Sequence, residues 1–250
     1  MGIKTKKFRK WIISYVNELE LDEMLNELYV KKYYNWKTTK INPTIFDVGA
    51  LIGETVLYFK DQYSEAQITA FEPSPRSFAL LKRNVFQNKL TQVKLINAAV
   101  AEKTGKMNFY TSKSEDSPWG RGDSLKENYF NDKQKSKVVK VSTVKLSSYI
   151  KGNIDLLKMD IEGAETDVLK EIELKLPKVR QIILEFHGSI YNPDNKYETI
   201  MDILKNNNFK TTIYFSRWPL PNIIVPTLLV LFNVLKVKEY WLRIYAEKQD

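Results

Sequence analysis

The hydrophobic positions of this chain first follow a helical spacing and then alternate between strand-like and helix-like segments. Over residues 8–34, apolar side chains recur every three or four positions, which predicts a helix. Residues 35–43 are mostly polar and end in Asn-Pro, which indicates a linker. We therefore expect a helical extension over residues 1–40 and one main domain over residues 41–250.

Strands and helices alternate from residue 44 onward. The predicted strands span residues 44–48, 67–71, 93–97, 106–111, 138–144, 154–159, 179–186, 211–215 and 241–246. The predicted helices span residues 54–63, 76–88, 164–172 and 197–206. Strand residues 182–184 are apolar without alternation, as in buried parallel strands. Repeated strand–helix units predict a doubly wound, mostly parallel α/β sheet with helices on both faces.

An apolar insertion over about residues 216–240 interrupts this alternation. Residues 223–235 are almost wholly apolar but too few to span a bilayer. Aromatic and lysine side chains flank the stretch: Trp218, Lys236, Lys238, Tyr240 and Trp241. Such flanks are typical of a segment that lies in a membrane interface. The alternative interpretation is a core helix or a homodimer contact.

The charge of the chain points to acidic partners. The formal net charge is +9, and five of the first ten residues are basic. Nucleic acid, an anionic membrane face or a phosphorylated substrate would suit this charge. The chain has no cysteine, which excludes disulfides, thiolate metal sites and cysteine nucleophiles. With no readable signal peptide, we expect a cytoplasmic protein, peripheral at the inner membrane face if the apolar insertion contacts lipid.

A glycine-bearing turn between a strand and a helix is the sharpest local motif. Gly49 allows a tight turn, and Gly53 allows the backbone to approach a ligand at the helix start. Nineteen residues after Gly53, Glu72 ends the next strand, where a carboxylate can bind both hydroxyls of a ribose. The two features predict an adenosine-containing ligand. The alternative is that Glu72 only caps the following helix.

Asp47 distinguishes between two adenosine cofactors. The NAD fingerprint G-x-G-x-x-G holds a pyrophosphate, and here Asp47 replaces its first glycine. A carboxylate is unfavourable beside a pyrophosphate but favourable beside the ammonium group of S-adenosylmethionine (SAM). The turn therefore favours SAM.

Several motifs together resemble the FkbM-type methyltransferases. They cover residues 47–50, 53–55, 71–73, 97–105, 154–165 and 185–187, and the most specific is the Lys-x-Asp-x-Glu-Gly-x-Glu block within 154–165. The resemblance implies a class I methyltransferase with a seven-stranded, Rossmann-like sheet, SAM as cofactor and transfer to oxygen. It also implies that cofactor contacts come from Asp47, Gly49, Ala50, Gly53, Thr55, Glu72, Asn97 and Ala98. Asp160 would face both the methyl donor and the acceptor.

Methyl transfer to a hydroxyl needs a group that removes its proton. His187 is the only histidine, and it follows a strand at the predicted ligand-binding edge, so we assign it as a neutral general base. Its alternative role is a backbone contact at a strand end. We assign Asp160 and Glu185 as the other catalytic residues. Together with Glu162 and Glu165, these two carboxylates could hold Mg²⁺. Alternatively, Glu162 and Glu165 place negative charge at the N-terminus of the following helix, which is favourable there. Our assignment includes no metal.

The sequence thus predicts a SAM-dependent O-methyltransferase acting on a hydroxylated small molecule, a sugar or a lipid-linked glycan. An RNA methyltransferase is one alternative, motivated by the charge, although we expect no nucleic-acid partner. A non-catalytic SAM-binding module is the other. The polar loop 112–127, with Trp119, is interpreted either as a cover over a sugar or as a surface hairpin tip.

Overall fold

The N-terminal residues form a β-hairpin followed by a helix. The computed structural model describes residues 2–112, 122–127, 136–189, 191–215, 218–220, 224–235 and 237–249. Strands β1 (Lys4–Phe8) and β2 (Trp11–Tyr15) pair antiparallel. Helix α1 (Glu18–Leu25) follows and continues into one π-helical turn.

The helix predicted over residues 8–34 was wrong for residues 8–17 and 31–34. Over residues 8–15, the apolar positions fit a strand as well as a helix. Trp11, Ile13 and Tyr15 are buried, whereas Ile12 is 47% exposed. This alternation is the two-residue period of a strand. The Asn84 side chain holds the hairpin in place, since its Oδ1 accepts a hydrogen bond from the Ser14 amide at 2.7 Å.

The remaining elements alternate as predicted. The strands are β3 (Thr44–Val48), β4 (Gln67–Phe71), β5 (Val93–Ile96), β6 (Ala99–Val100), β7 (Gly105–Ser112), β8 (Ser136–Val144), β9 (Ile154–Met159), β10 (Val179–Ser189), β11 (Phe209–Phe215), β12 (Trp218–Leu220) and β13 (Glu239–Lys248). The helices are α2 (Glu54–Gln62), α3 (Pro75–Gln87), α4 (Glu165–Ile172), α5 (Tyr197–Asn206) and α6 (Ile224–Val234).

The central sheet has the strand order β12-β11-β13-β10-β9-β3-β4-β5. Strands β5, β4, β3, β9 and β10 pair in parallel, and β13 lies antiparallel between β10 and β11. The predicted fold class, a mostly parallel seven-stranded sheet, is confirmed. The short β12 adds an eighth strand at the edge beside β11. Strands β6, β8 and β7 form a separate small sheet.

Helices cover both faces of the central sheet. Helices α4, α5 and α6 pack on one face, and α2 and α3 pack on the other together with the N-terminal segment. Because β3, β4, β9 and β10 run in the same direction, their carboxyl ends meet at one edge. That edge is where ligands bind in open α/β sheets.

The apolar insertion forms the short edge strand β12 and the helix α6. Val225 and Leu229 of α6 are buried against the sheet, whereas Val230 and Leu231 are exposed. No helix within the described ranges is long and apolar enough to cross a membrane.

Candidate active site

A cavity of about 580 Å³ opens at the carboxyl edge of the central sheet. This volume suits a cofactor-sized ligand. Among the described residues, its acidic lining side chains outnumber the basic ones by nine to three. The acidic ones are Glu23, Glu27, Glu54, Glu72, Asp123, Asp160, Glu162, Glu185 and Glu239, and the basic ones are Lys31, Lys158 and His187.

The glycine turn lies at the floor of this cavity. Gly49 has φ +86°, and a Cβ there would lie 1.9 Å from the carbonyl oxygen of Asp160. Only glycine allows β3 and β9 to end so close together. Gly53 has φ +90°, and its Cβ would meet Leu81 of α3 at 2.6 Å. A side chain at position 53 would therefore require Leu81 to move, and the contact of Gly53 with a ligand stays a prediction.

A buried ion pair supports the glycine turn. The carboxylate of Asp47 is fully buried, accepts a hydrogen bond from the Thr55 hydroxyl and lies 3.2 Å from the Lys158 ammonium nitrogen. Lys158 also donates to the Gly49 carbonyl at 2.6 Å. Burial alone would lower the pKa of Lys158, but the charges of Asp47, Asp160 and Glu54 outweigh it and raise this pKa. Asp47 thus neutralises a lysine inside the protein.

Glu72 presents a buried carboxyl group to the cavity. It accepts hydrogen bonds from the amides of Leu51 and Ser74, at 2.9 and 2.8 Å. Burial raises the pKa of Glu72 to about 8 despite these two bonds. The Asn97 side chain donates to the Glu72 carbonyl at 2.8 Å and so fixes the end of β4.

His187 sits among three carboxylates at the end of β10. Its Nδ1 lies 2.9 Å from Glu165 Oε1, and its Nε2 lies 3.4 Å from Glu162 Oε2 and 3.7 Å from Asp160 Oδ1. Burial alone would lower the pKa of His187, but these charges hold it well above its ordinary value. These carboxylates therefore favour the charged imidazole over the neutral base that the sequence predicts.

Tyr34 joins the N-terminal segment to the carboxyl edge of the central sheet. Its hydroxyl lies 3.2 Å from Asp160 Oδ2 and 3.3 Å from Glu185 Oε2. Burial, together with the charge of Asp160, raises the pKa of Glu185 to about 7. The neighbouring Tyr33 ring stacks on Arg243 of β13, which anchors this part of the chain.

The structure brings together most of the residues assigned from sequence. The cavity is lined by Gly49, Thr55, Glu72, Ala98, Asp160, Glu185 and His187. Four others lie outside its lining, namely Asp47, Ala50, Gly53 and Asn97. Trp119 lies outside the described residues. Lys158 and Tyr34 were missed, although a lysine within an apolar strand is itself a signal, because a buried ammonium group needs a partner.

Comparisons with known proteins show the family to which this chain is similar. The family model for the methyltransferase FkbM domain matches residues 47–211. Methyltransferase sdnD of Sordaria araneosa is 28% identical over 230 residues, covering 81% of this chain and 87% of that protein. The 2-O-methyltransferase NoeI of Sinorhizobium fredii is 27% identical over 190 residues, covering 71% and 76%.

A solved structure supports the fold. The FkbM methyltransferase of Methylobacillus flagellatus superposes with a TM-score of 0.52 at 14% identity, over 84% of this chain and 45% of that one. This chain thus spans less than half of that protein. Since the family model covers more than half of the chain, this protein belongs to the FkbM methyltransferase family and is a SAM-dependent methyltransferase.

Proposed function

We propose that this protein transfers the methyl group of SAM to a hydroxyl oxygen of an uncharged, hydroxylated small molecule. The observation that carries the proposal is the single acidic cavity that contains both Glu72 and the group formed by Asp160, Glu185 and His187. The residues that bind the cofactor and those that accept the proton would then line the same cavity.

The residues of the cavity fit SAM better than a phosphate-bearing cofactor. Glu72 lies at the end of β4, where a carboxyl group can bind ribose hydroxyls. Lys158, the cation nearest the glycine turn, is already paired with Asp47 and the Gly49 carbonyl. Excess carboxylate around the cavity favours a cationic ligand. When bound, SAM supplies a methyl group on a positively charged sulfur.

The acceptor oxygen must lose its proton as it takes the methyl group. We assign this proton to the carboxylates of Asp160 and Glu185, which line the cavity and share the Tyr34 hydroxyl. Tyr34 fixes the positions of both carboxylates, and its segment closes one side of the cavity. His187 and Glu165 hold the opposite side of the group through their contact at 2.9 Å.

The acidic cavity also narrows the acceptor class. Phosphates of RNA would meet mainly carboxylates there, so the +9 net charge does not favour RNA at this site. A neutral polyol or sugar hydroxyl meets no such repulsion. The name of the relative NoeI, a 2-O-methyltransferase, supports oxygen as the acceptor atom.

We extend the proposal to peripheral membrane contact through α6, which would suit a lipid-linked glycan. The support is a group of exposed apolar side chains in this part of the chain: Ile224, Val230, Leu231 and Leu235. We expect the full chain to sediment with vesicles, and Leu231→Glu to reduce that binding. Self-association that Leu231→Glu abolishes, without vesicle binding, would instead identify α6 as a homodimer contact.

Transfer of labelled methyl groups tests the main proposal. We expect SAM binding by calorimetry and label in neutral glycans or other hydroxylated small molecules, but not in RNA. Asp160→Asn should reduce transfer at least about tenfold. The matched control is Asp202→Asn, on the exposed side of α5, which should leave transfer unchanged. Label found only in RNA would refute the acceptor class, and SAM binding without transfer to any fraction would indicate a non-catalytic module.

A further inference from the structure

We propose that Asp160, Glu162 and His187 form a binding site for one divalent cation, hereafter the cation triad. Each residue offers one ligand atom, and the three atoms lie within 4.8 Å of one another. Two side chains come from the loop after β9 and the third from β10, so neighbouring strand ends bring them together. The site departs from our sequence-based assignment, which included no metal.

The spacing of the triad is close to that of metal ligands. At metal–ligand distances near 2.1 Å, neighbouring ligand atoms in an octahedron lie about 3 Å apart. His187 Nε2 already lies 3.4 Å from Glu162 Oε2 and 3.7 Å from Asp160 Oδ1. All three ligand atoms lie within 4.8 Å of one another, so side-chain movements of no more than about 2 Å would complete the geometry.

The imidazole is already oriented as metal-binding histidines are. Its Nδ1 contacts Glu165 Oε1 at 2.9 Å, which directs Nε2 toward the two carboxylates. Glu165 is fully buried and is itself held by the amide of Gly163 at 3.0 Å and the side chain of Asn195 at 2.6 Å. A carboxylate behind a ligating histidine is the usual outer partner of a metal site. This arrangement goes beyond a simple cluster of acidic groups.

The charge and the donor atoms define the class of cation. Acidic side chains outnumber basic ones nine to three around the cavity, so a doubly charged ion reduces their repulsion. Two carboxylates and one imidazole, without any thiolate, suit Mg²⁺ or Mn²⁺, and the nitrogen ligand favours Mn²⁺.

A cation at the triad deepens the proposed methyl transfer, on which this role rests. Three protein ligands leave coordination positions open toward the cavity. Two neighbouring hydroxyl oxygens of an acceptor could occupy them, which makes a vicinal diol the preferred substrate class. The cation would weaken the O–H bond of the attacking hydroxyl, and the released proton would pass to a cavity carboxylate such as Glu185.

Binding of Mn²⁺ to the full chain tests the site directly. After dialysis against a chelator, we expect about one bound Mn²⁺ per chain by electron paramagnetic resonance and calorimetry. Glu162→Gln should weaken Mn²⁺ binding about tenfold or more, because it removes a charged ligand. Glu239→Gln is the matched control, since Glu239 lines the same cavity outside the triad and should bind Mn²⁺ like the parent.

Parallel measurements separate this proposal from the proposed function. Circular dichroism and SAM calorimetry show whether Glu162→Gln keeps the fold. No Mn²⁺ binding to the folded parent, or equal binding by both variants, would overturn the cation site. Full methyl transfer in chelator would overturn its catalytic role while leaving the O-methyltransferase proposal intact. Mn²⁺ binding at the triad without transfer to any hydroxyl would overturn the O-methyltransferase proposal while leaving the cation site intact.

Discussion

Replacing Lys158 with methionine would test the buried ion pair beneath the glycine turn. Lys158 and Asp47 are 2% and 0% exposed, and their charged atoms lie 3.2 Å apart. Methionine keeps most of the side-chain volume but removes the ammonium group. The Asp47 carboxylate would then stay buried without its counter-charge.

The expected loss of stability is large because the remaining Asp47 carboxylate is buried without a counter-charge. Breaking a buried pair by removing one partner costs about 3–5 kcal/mol of unfolding free energy. Removing both charges costs much less, since apolar or neutral replacements of buried pairs are often tolerated. We therefore expect Asp47→Asn combined with Lys158→Met to be more stable than Lys158→Met alone by roughly 2 kcal/mol or more.

Urea unfolding followed by tryptophan fluorescence provides the measurement. Lys210→Met is the matched control, because Lys210 is an exposed strand lysine in β11 and should change stability by less than about 0.5 kcal/mol. A loss below about 1 kcal/mol for Lys158→Met would refute the reasoning. So would a double variant less stable than the single one.

Three further predictions concern the cavity. Gly49→Ala should abolish SAM binding in calorimetry, because its Cβ would lie 1.9 Å from the Asp160 carbonyl, whereas Gly152→Ala meets no atom within 4 Å and serves as control; unchanged affinity would contradict the close approach. Glu72 has a folded pKa of about 8 against 4.5 ordinarily, so the folded state retains a proton that the unfolded state loses. Stability should therefore fall by up to roughly 5 kcal/mol as the pH rises through this window, and urea titrations of Glu72→Gln should lack that slope; equal slopes would count against a buried carboxyl. Tyr34→Phe should lower kcat about tenfold with SAM affinity unchanged, because two cavity carboxylates lose a shared hydrogen bond; an unaltered kcat would remove Tyr34 from the positioning role.

The sheet was predictable because short apolar runs alternate along the chain with segments of helical periodicity. The helix bounds Tyr197–Asn206 and the strand bounds Ile154–Met159 match the prediction to the residue. The hairpin at residues 4–15 was not predictable from period alone, since Phe8, Trp11, Ile12 and Tyr15 also satisfy helical spacing. Its deciding contact is with Asn84, which is far away in sequence.

The site was predictable in its location but less so in its electrostatics. Strand ends indicated where Glu72, Asp160 and His187 would meet, because parallel strands share a carboxyl edge. The pairing of Asp47 with Lys158 depends on the register of β3 and β9, in which these two residues are direct partners. The raised pKa of His187 depends on three carboxylates converging in space, which linear spacing does not reveal.

The N-terminal segment has a consequence for how this protein could diversify. Glu27, Lys31 and Tyr34 line the cavity, yet they precede the region matched by the family model, which begins at residue 47. This wall of the cavity thus lies outside the region that the family model matches, whereas the glycine turn lies inside it. Exchanging residues 1–33 between relatives would therefore change part of the cavity wall while keeping Tyr34 and the glycine turn.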